Sequence, residues 1–430
     1  MANNKTSSSF FGILSRYLAG DFTSIFLSLV VQFVLVKSLT IEDYGIWGLF
    51  LASCAIVEGL FSPRLEYAFT RYFTDKIKNK EEFHYIYSLN SYCYLIPTLL
   101  LLMSGLIIWF MDFNSMNHLG ILISMAAVRI WSKSIEPLWF SVLRDLNKIS
   151  LIAFFEFLNS FLTLLFVLLL LQFKTLDISK LVLGSSLILL IIYSIKYILT
   201  YKVMQKSHSL KISTFNFSIT QFNSSQYSEL RKYLFSIYKG FVFSSVLRNS
   251  DRIILGSILG LTDVGLYNLA KNINEKLIRL IQPLTRIIFY NFSTWSQEES
   301  LSKIKKDIFK KLKKWTPYLL PTLILVGLTI SFSIPFIFGE KYSTSSTLFL
   351  ILYLQFILML FLFWMKPFLL SYGLEDAYQS VELKSVVIFF ILSISFAYFF
   401  GLFGLTIAVP LTYCIRFTML YKHLKKAEAS

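Results

Sequence analysis

Runs of about twenty apolar residues recur along most of this chain, and that is the length a helix needs to cross the hydrocarbon of a bilayer. No water reaches the backbone there, so each run must close its own hydrogen bonds, and a polytopic helical bundle is the form imposed. Plausible spans lie at about 16–38, 42–63, 84–110, 118–141, 150–173, 179–201, 233–260, 263–290, 315–338, 344–371, 377–400 and 403–421, about twelve in all. Hydrophobic residues make up 55% of the chain and charged residues 15%, with a mean hydropathy of +0.63, a profile far from that of a soluble domain. The first fifteen residues are polar, and no small-residue cleavage site follows the first apolar run, so no cleavable signal peptide is expected. The expected fold class is an all-α integral membrane protein.

Charge fixes the orientation. With the N-terminus in the cytoplasm, the inner segments 64–82, 142–149, 202–232, 291–314 and the tail hold, with Lys5, about 23 basic residues. The outer turns hold about four, namely Lys37, Lys174, Lys180 and Lys341. That imbalance places both termini in the cytoplasm. It also favours 263–290 crossing despite its charges, because otherwise the lysine-rich 302–314 stretch would face outward; the alternative for this segment is a surface amphipathic helix. Much of the net charge of +16 is thereby topological, and it favours anionic membrane lipids as partners. The basic residues are split among short loops and build no soluble domain, so nucleic acid is not an expected partner. Cys54, Cys93 and Cys414 sit in apolar runs without metal-type spacing, and the four histidines are scattered, so neither a disulfide nor a metal site is expected.

Two of the spans carry charges that hydrocarbon tolerates only when they face a bundle interior or a watery path. Span seven holds Arg248, Asp251 and Arg252; span eight holds Lys271, Glu275, Lys276, Arg279 and Arg286. Lys271, Glu275, Arg279, Gln282 and Arg286 recur every three or four residues and share one helix face. A net-cationic interior suits an anionic cargo. The alternative is purely structural pairing, Asp251 with Arg248 and Glu275 with Lys271 or Arg279.

The polar stretch 202–230 lies at the middle of the chain, and a short repeat brackets it. Thr40-Ile41-Glu42-Asp43-Tyr44-Gly45-Ile46-Trp47 resembles Gly260-Leu261-Thr262-Asp263-Val264-Gly265-Leu266-Tyr267. Each copy joins two consecutive spans, and Asp263 is placed to cap the second helix of its pair. Six spans per half make the halves parallel repeats, a transporter plan with the substrate site between them. The expected divisions are an N-terminal six-helix lobe at 1–201, a cytoplasmic linker at 202–232 and a C-terminal six-helix lobe at 233–430.

These residues carry a family resemblance over nearly the whole chain. Leu39 to Trp47, Ala68-Phe69-Thr70-Arg71-Tyr72-Phe73, Asp251-Arg252-Ile253-Ile254-Leu255-Gly256, Val264 to Ala270, Phe338-Gly339-Glu340-Lys341-Tyr342 and Gly401 to Ala408 share in it. Together they resemble the bacterial polysaccharide repeat-unit flippases (Wzx-type, O-antigen and capsule) of the multidrug/oligosaccharidyl-lipid/polysaccharide exporter superfamily. The resemblance implies a MATE-like V of two six-helix lobes opening alternately to each side of the bacterial cytoplasmic membrane. It also implies an undecaprenyl-diphosphate-linked oligosaccharide as cargo, no enzymatic activity, no cofactor, and the polysaccharide polymerase machinery as a partner.

Arginine suits a diphosphate because its planar fork grips phosphate oxygens bidentately and stays charged. The expected substrate-binding set is therefore Arg248 and Arg252 on span seven, Lys271 and Arg279 on span eight, and Arg129 and Lys133 on span four. Arg286 is expected nearer the cytoplasmic end; in the alternative of purely structural pairing, Glu136 neutralises Lys133. Asp21, Glu58, Asp251 and Glu275 are expected either to couple Na+ or H+ or to form structural ion pairs. Three other readings stand beside this one. A drug exporter of the same superfamily would favour an acidic or aromatic cavity, a lipid II flippase would use the same physics, and a membrane polymerase would need a larger outer loop.

Overall fold

Polar side chains start several of the helices and satisfy amides that the helices cannot. Thr40 Oγ1 accepts from the Asp43 backbone N–H at 3.0 Å while donating to Asp43 Oδ2 at 2.7 Å, a capping arrangement at the head of Ile41–Phe61. Asp177 Oδ2 accepts from the Ser179 N–H at 3.2 Å at the head of Ile178–His208. In the second repeat copy the threonine is replaced by Gly260, which makes no side-chain cap. Asp263 therefore does not cap its helix as expected; it sits in the first turn, where its charge meets the helix dipole.

The computed structural model describes residues 7–63, 80–110, 117–136, 139, 143, 149–208, 228–281, 285, 301–371 and 374–429. In chain order the helices are α1 (Ser7–Ser38), α2 (Ile41–Phe61), α3 (Lys80–Phe110), α4 (Asn117–Ser132), α5 (Ile149–Gln172) and α6 (Ile178–His208). They continue as α7 (Ser228–Ile258), α8 (Leu261–Arg279), α9 (Leu301–Phe338), α10 (Ser343–Leu362), α11 (Met365–Ser371) and α12 (Glu375–Ala429). One 3-10 turn, Lys133–Ile135, extends α4, and another, Glu340–Tyr342, precedes α10. Among the described residues the chain is all-helical.

Seven of these segments are long and apolar enough to cross a membrane: Ile41–Phe61, Ser88–Phe110, Leu151–Gln172, Ile178–Lys202, Leu312–Phe338, Glu340–Leu362 and Asp376–Lys425. The last is longer than one crossing needs and breaks at Gly401 (φ 60°, ψ −142°), a backbone conformation reserved for glycine. Helices α7 and α8, which carry the charge cluster, are not among the seven.

Two compact units divide the chain. The first comprises Met1–Leu39 and Phe50–Ser245, the second Thr40–Leu49 and Val246–Ser430. In the first unit α1 packs on α5, and α4 packs on both α3 and α6. Its apolar centre includes Trp139, Leu143, Ile152, Phe155 and Ile192. In the second unit α10 is central, packed on α8, α9 and α12. A separate core of Trp364, Met365, Phe368, Leu369, Tyr378, Val381, Leu420 and Leu424 joins α11 to both limbs of α12.

The distribution of polarity is that of a protein in lipid. Phe336 is 95% exposed and Tyr398 79%, while Asp251, Lys196 and Glu382 are buried. Hydroxyls within the helices bond back one turn, as in Ser132 to the Val128 carbonyl and Ser250 to that of Val246, both at 2.7 Å. Such bonds spare each hydroxyl an unmet hydrogen bond in hydrocarbon.

Candidate functional site

The second unit gathers the charges of α7 and α8 into one network. Asp251, buried on α7, pairs with Lys271 of α8, whose ammonium also donates to the Arg248 carbonyl. The Tyr267 hydroxyl donates to Asp251 Oδ2 at 2.5 Å, and the Arg252 backbone N–H donates to Oδ1 at 2.8 Å. Arg252 Nη2 reaches Asn272 Oδ1 at 2.9 Å and Glu275 at 3.7 Å. Arg248 Nε lies 3.5 Å from Glu275 Oε1, and its side chain is 44% exposed. Asn272 in turn donates to the Tyr44 hydroxyl at 3.0 Å, tying the start of α2 into the same network.

The pairing differs from the sequence expectation. Asp251 takes Lys271 rather than Arg248, and Glu275 takes Arg248 and Arg252 rather than Lys271 or Arg279. Residues three or four apart on one helix are neighbours, but the facing helix offers partners in better line and with deeper burial. Arg279 stands exposed in the last turn of α8. Arg286 and Gln282 lie outside the described residues, as does the side chain of Asp21 on α1.

The first unit holds a second set of charges. Lys133, on the 3-10 turn that ends α4, pairs with Glu58 of α2. One turn earlier, Arg129 Nη1 reaches Ser185 Oγ on α6 at 3.2 Å, and its guanidinium lies 5.7 Å from the centre of the Phe50 ring. Among the described residues Arg129 has no carboxylate in ion-pair range. Glu136 does not neutralise Lys133; its Oε2 is 3.0 Å from Lys196 Nζ, and Glu156 Oε1 is 3.7 Å from the same ammonium. The 3-10 turn winds the chain more tightly between Lys133 and Glu136, and the two side chains reach different neighbours.

Several polar residues were not anticipated from the sequence. Lys196 and Glu156 are lone charges in apolar spans, and Glu382 and Arg416 are charges in α12 that pair with each other across its two limbs. The Tyr378 hydroxyl lies 3.3 Å from Arg416. A charge inside an apolar run was the available signal for all four. The neutral members of the networks, Tyr267, Asn272 and Ser185, carry no such signal. Among the described residues no group of three or more His, Cys, Asp or Glu side chains is arranged to hold a metal ion, and the three cysteines are free thiols.

Long apolar helices with exposed apolar side chains and buried charges, the only regular structure among the described residues, define a multi-pass membrane protein, and its fold is that of known transporters. The chain is similar to an inward-facing multidrug resistance MATE family transporter of the MOP superfamily, with TM-score 0.66 and 13% identity, covering 97% of this chain and 99% of that one. It is also similar to the lipid II flippase MurJ in an inward closed conformation, with TM-score 0.70 and 16% identity over 95% of this chain and 87% of the other. A third likeness is to the MATE multidrug transporter DinF-BH, with TM-score 0.61 and 14% identity over 99% and 97% of the two chains. The family profile described as polysaccharide biosynthesis protein matches residues 34–347, and the chain belongs to that family. Family and fold together are those of a multi-pass membrane protein of polysaccharide biosynthesis with the fold of MATE transporters and MurJ. A search among curated proteins finds no match.

Proposed function

We propose that the chain moves an undecaprenyl-diphosphate-linked oligosaccharide from the cytoplasmic to the outer leaflet of the bacterial membrane by alternating access. The observation that carries this reading is Arg129. Its guanidinium is held by a neutral hydroxyl and an aromatic ring, with no carboxylate in range among the described residues, so its charge is left for an anion. In the second network three cations, Arg248, Arg252 and Lys271, face two carboxylates, Asp251 and Glu275. Arg248, the most exposed of the three, is placed to exchange Glu275 for a phosphate. A diphosphate crossing hydrocarbon loses its hydration, and fixed guanidinium donors replace the lost water at less cost than apolar surroundings.

The reading takes twelve spans in two six-helix lobes, 1–201 and 233–430, joined by the linker 202–232, with both termini cytoplasmic. Arg129, Lys133, Arg248, Arg252, Lys271 and Arg279 line its head-group path. Coupling to Na+ or H+ falls to Asp21, Glu58 or Asp251. The latter two each hold a lysine, so either would exchange that partner for the coupling ion. The MurJ likeness supports a lipid-linked cargo, since that relative is a flippase for lipid II.

The test is leaflet exchange of an undecaprenyl-diphosphate oligosaccharide in liposomes holding the purified protein, beside an Arg129→Ala/Arg248→Ala variant of unchanged thermal stability. Exchange by the parent and little by the variant is expected. Equal exchange by both would remove the arginines from the path, and no exchange of the native repeat unit by either would remove the flippase reading.

A further inference from the structure

Lys196 is a charged residue in the middle of the apolar helix α6, and its side chain is only 2% exposed. Four groups surround the ammonium. Glu136 Oε2 is 3.0 Å away and Glu156 Oε1 3.7 Å, while the Tyr193 ring centre lies at 4.4 Å and that of Trp139 at 5.8 Å. Two carboxylates and two aromatic faces around one nitrogen form the chemistry that recognises an organic ammonium ion. The Trp139 ring is fully buried and fixed edge-on by Phe155 at 5.1 Å, and its indole N–H has no hydrogen-bond partner among the described residues. Both carboxylates lie within ion-pair range of the ammonium.

We propose that Lys196 is a tethered ammonium ion that closes a cation-binding cage of Glu136, Glu156, Trp139 and Tyr193, and so acts as a specificity determinant against small organic cations. With the lysine in place the cage is filled at an effective concentration no free cation can match. Truncation to alanine removes three methylenes and the ammonium, the equivalent of one propylammonium ion, and leaves a lined space of that shape. The exclusion matters to transport only under the reading above, in which the cargo head group is anionic. The binding itself does not depend on that reading.

Purified parent and Lys196→Ala proteins in detergent are titrated with propylammonium chloride, and thermal stability and heat of binding are followed, with sodium chloride as the ionic-strength control. The parent is expected to show no saturable response. Lys196→Ala is expected to gain several degrees in Tm with saturation, and the gain is expected to weaken about tenfold in apparent affinity when Glu136→Gln is added, the loss of one charged partner. An equal response of the parent, or none from a folded Lys196→Ala, overturns the proposal. Should Lys196→Ala not fold, Lys196→Ser, which leaves the same space open, takes its place, with propylammonium present during extraction. If neither neutral variant folds while Lys196→Arg does, the lysine is a structural ion-pair partner and the proposal fails. Leaflet exchange of the lipid-linked oligosaccharide, measured on the same parent preparation, tests the flippase reading separately.

Discussion

Gly45 and Gly265 meet as a reciprocal pair. A Cβ on Gly45 would strike the carbonyl oxygen of Leu261, and one on Gly265 would strike that of Ile41. The two glycines are offset by 220 positions and so are the two struck residues, the same separation that links the Thr262 hydroxyl to Glu42 at 3.2 Å. The sequence repeat therefore packs against its own second copy within the second unit, in the manner of a two-fold interface. Gly48 also sits close against the Asn268 side chain, its repeat counterpart.

Close backbone approach is a property of the pair, so the two glycines are predicted to act as one. Gly45→Ala and Gly265→Ala should each destabilise the protein by about 1–3 kcal/mol, the usual range for overpacking. The double variant should cost less than the two together, because the first substitution already separates the helices. Thermal unfolding in detergent of the three variants measures this.

Arg129 separates stability from transport. Its neighbours are Ser185 and Phe50, so Arg129→Ala strands no buried carboxylate in ion-pair range, and the Tm should shift little. Leaflet exchange should fall about tenfold or more, the worth of one charge-assisted contact to phosphate. Arg129→Lys should recover only part of the rate, since a point charge does not reproduce the fork. Rate and Tm measured on the same preparations decide it.

The buried pairs behave in the opposite way. Asp251 with Lys271, and Glu382 with Arg416, are pairs whose separation leaves a lone ion out of water. Asp251→Asn, Lys271→Met, Glu382→Gln and Arg416→Met should each cost about 3–5 kcal/mol, and the double variant of each pair should recover much of that loss. A double-mutant cycle on unfolding free energies reads the coupling directly. For Asp251–Lys271 the Tyr267 hydroxyl would remain as a residual partner, so Tyr267→Phe should weaken the same cycle.

Gly401 tests conformation free of crowding. It holds φ at 60°, yet nothing lies within 4 Å of where its Cβ would be. Gly401→Ala should therefore cost about 1–3 kcal/mol through backbone strain alone. Gly404→Ala, whose Cβ would meet the Phe396 carbonyl, should cost at least as much through collision. Comparing the Tm of the two variants with that of Leu402→Ala as a packing control separates the effects.

Helix α9 runs continuously through Pro317, Pro321 and Pro335, whereas α12 breaks at Gly401. Proline within a membrane helix costs one hydrogen bond, which neighbouring groups can re-satisfy, whereas a positive φ ends the helical path outright. Lys196 was passed over because a lone charge in span six has no sequence neighbour of opposite sign within a turn. Its partners arrive from α5 and from the residue after the 3-10 turn.

The sequence by itself determined the membrane class, the all-helical architecture and the charged character of spans four, seven and eight. Hydrophobic run length and the cost of charge in hydrocarbon are local properties that one chain segment expresses alone. Only the tertiary structure decided which ion meets which. Asp251 chose Lys271 over Arg248, Lys133 chose Glu58 over Glu136, and Arg129 was left with a hydroxyl and a ring. Coulomb attraction in a low dielectric depends on distances of a few ångströms, and helix packing sets those distances between residues far apart in the chain.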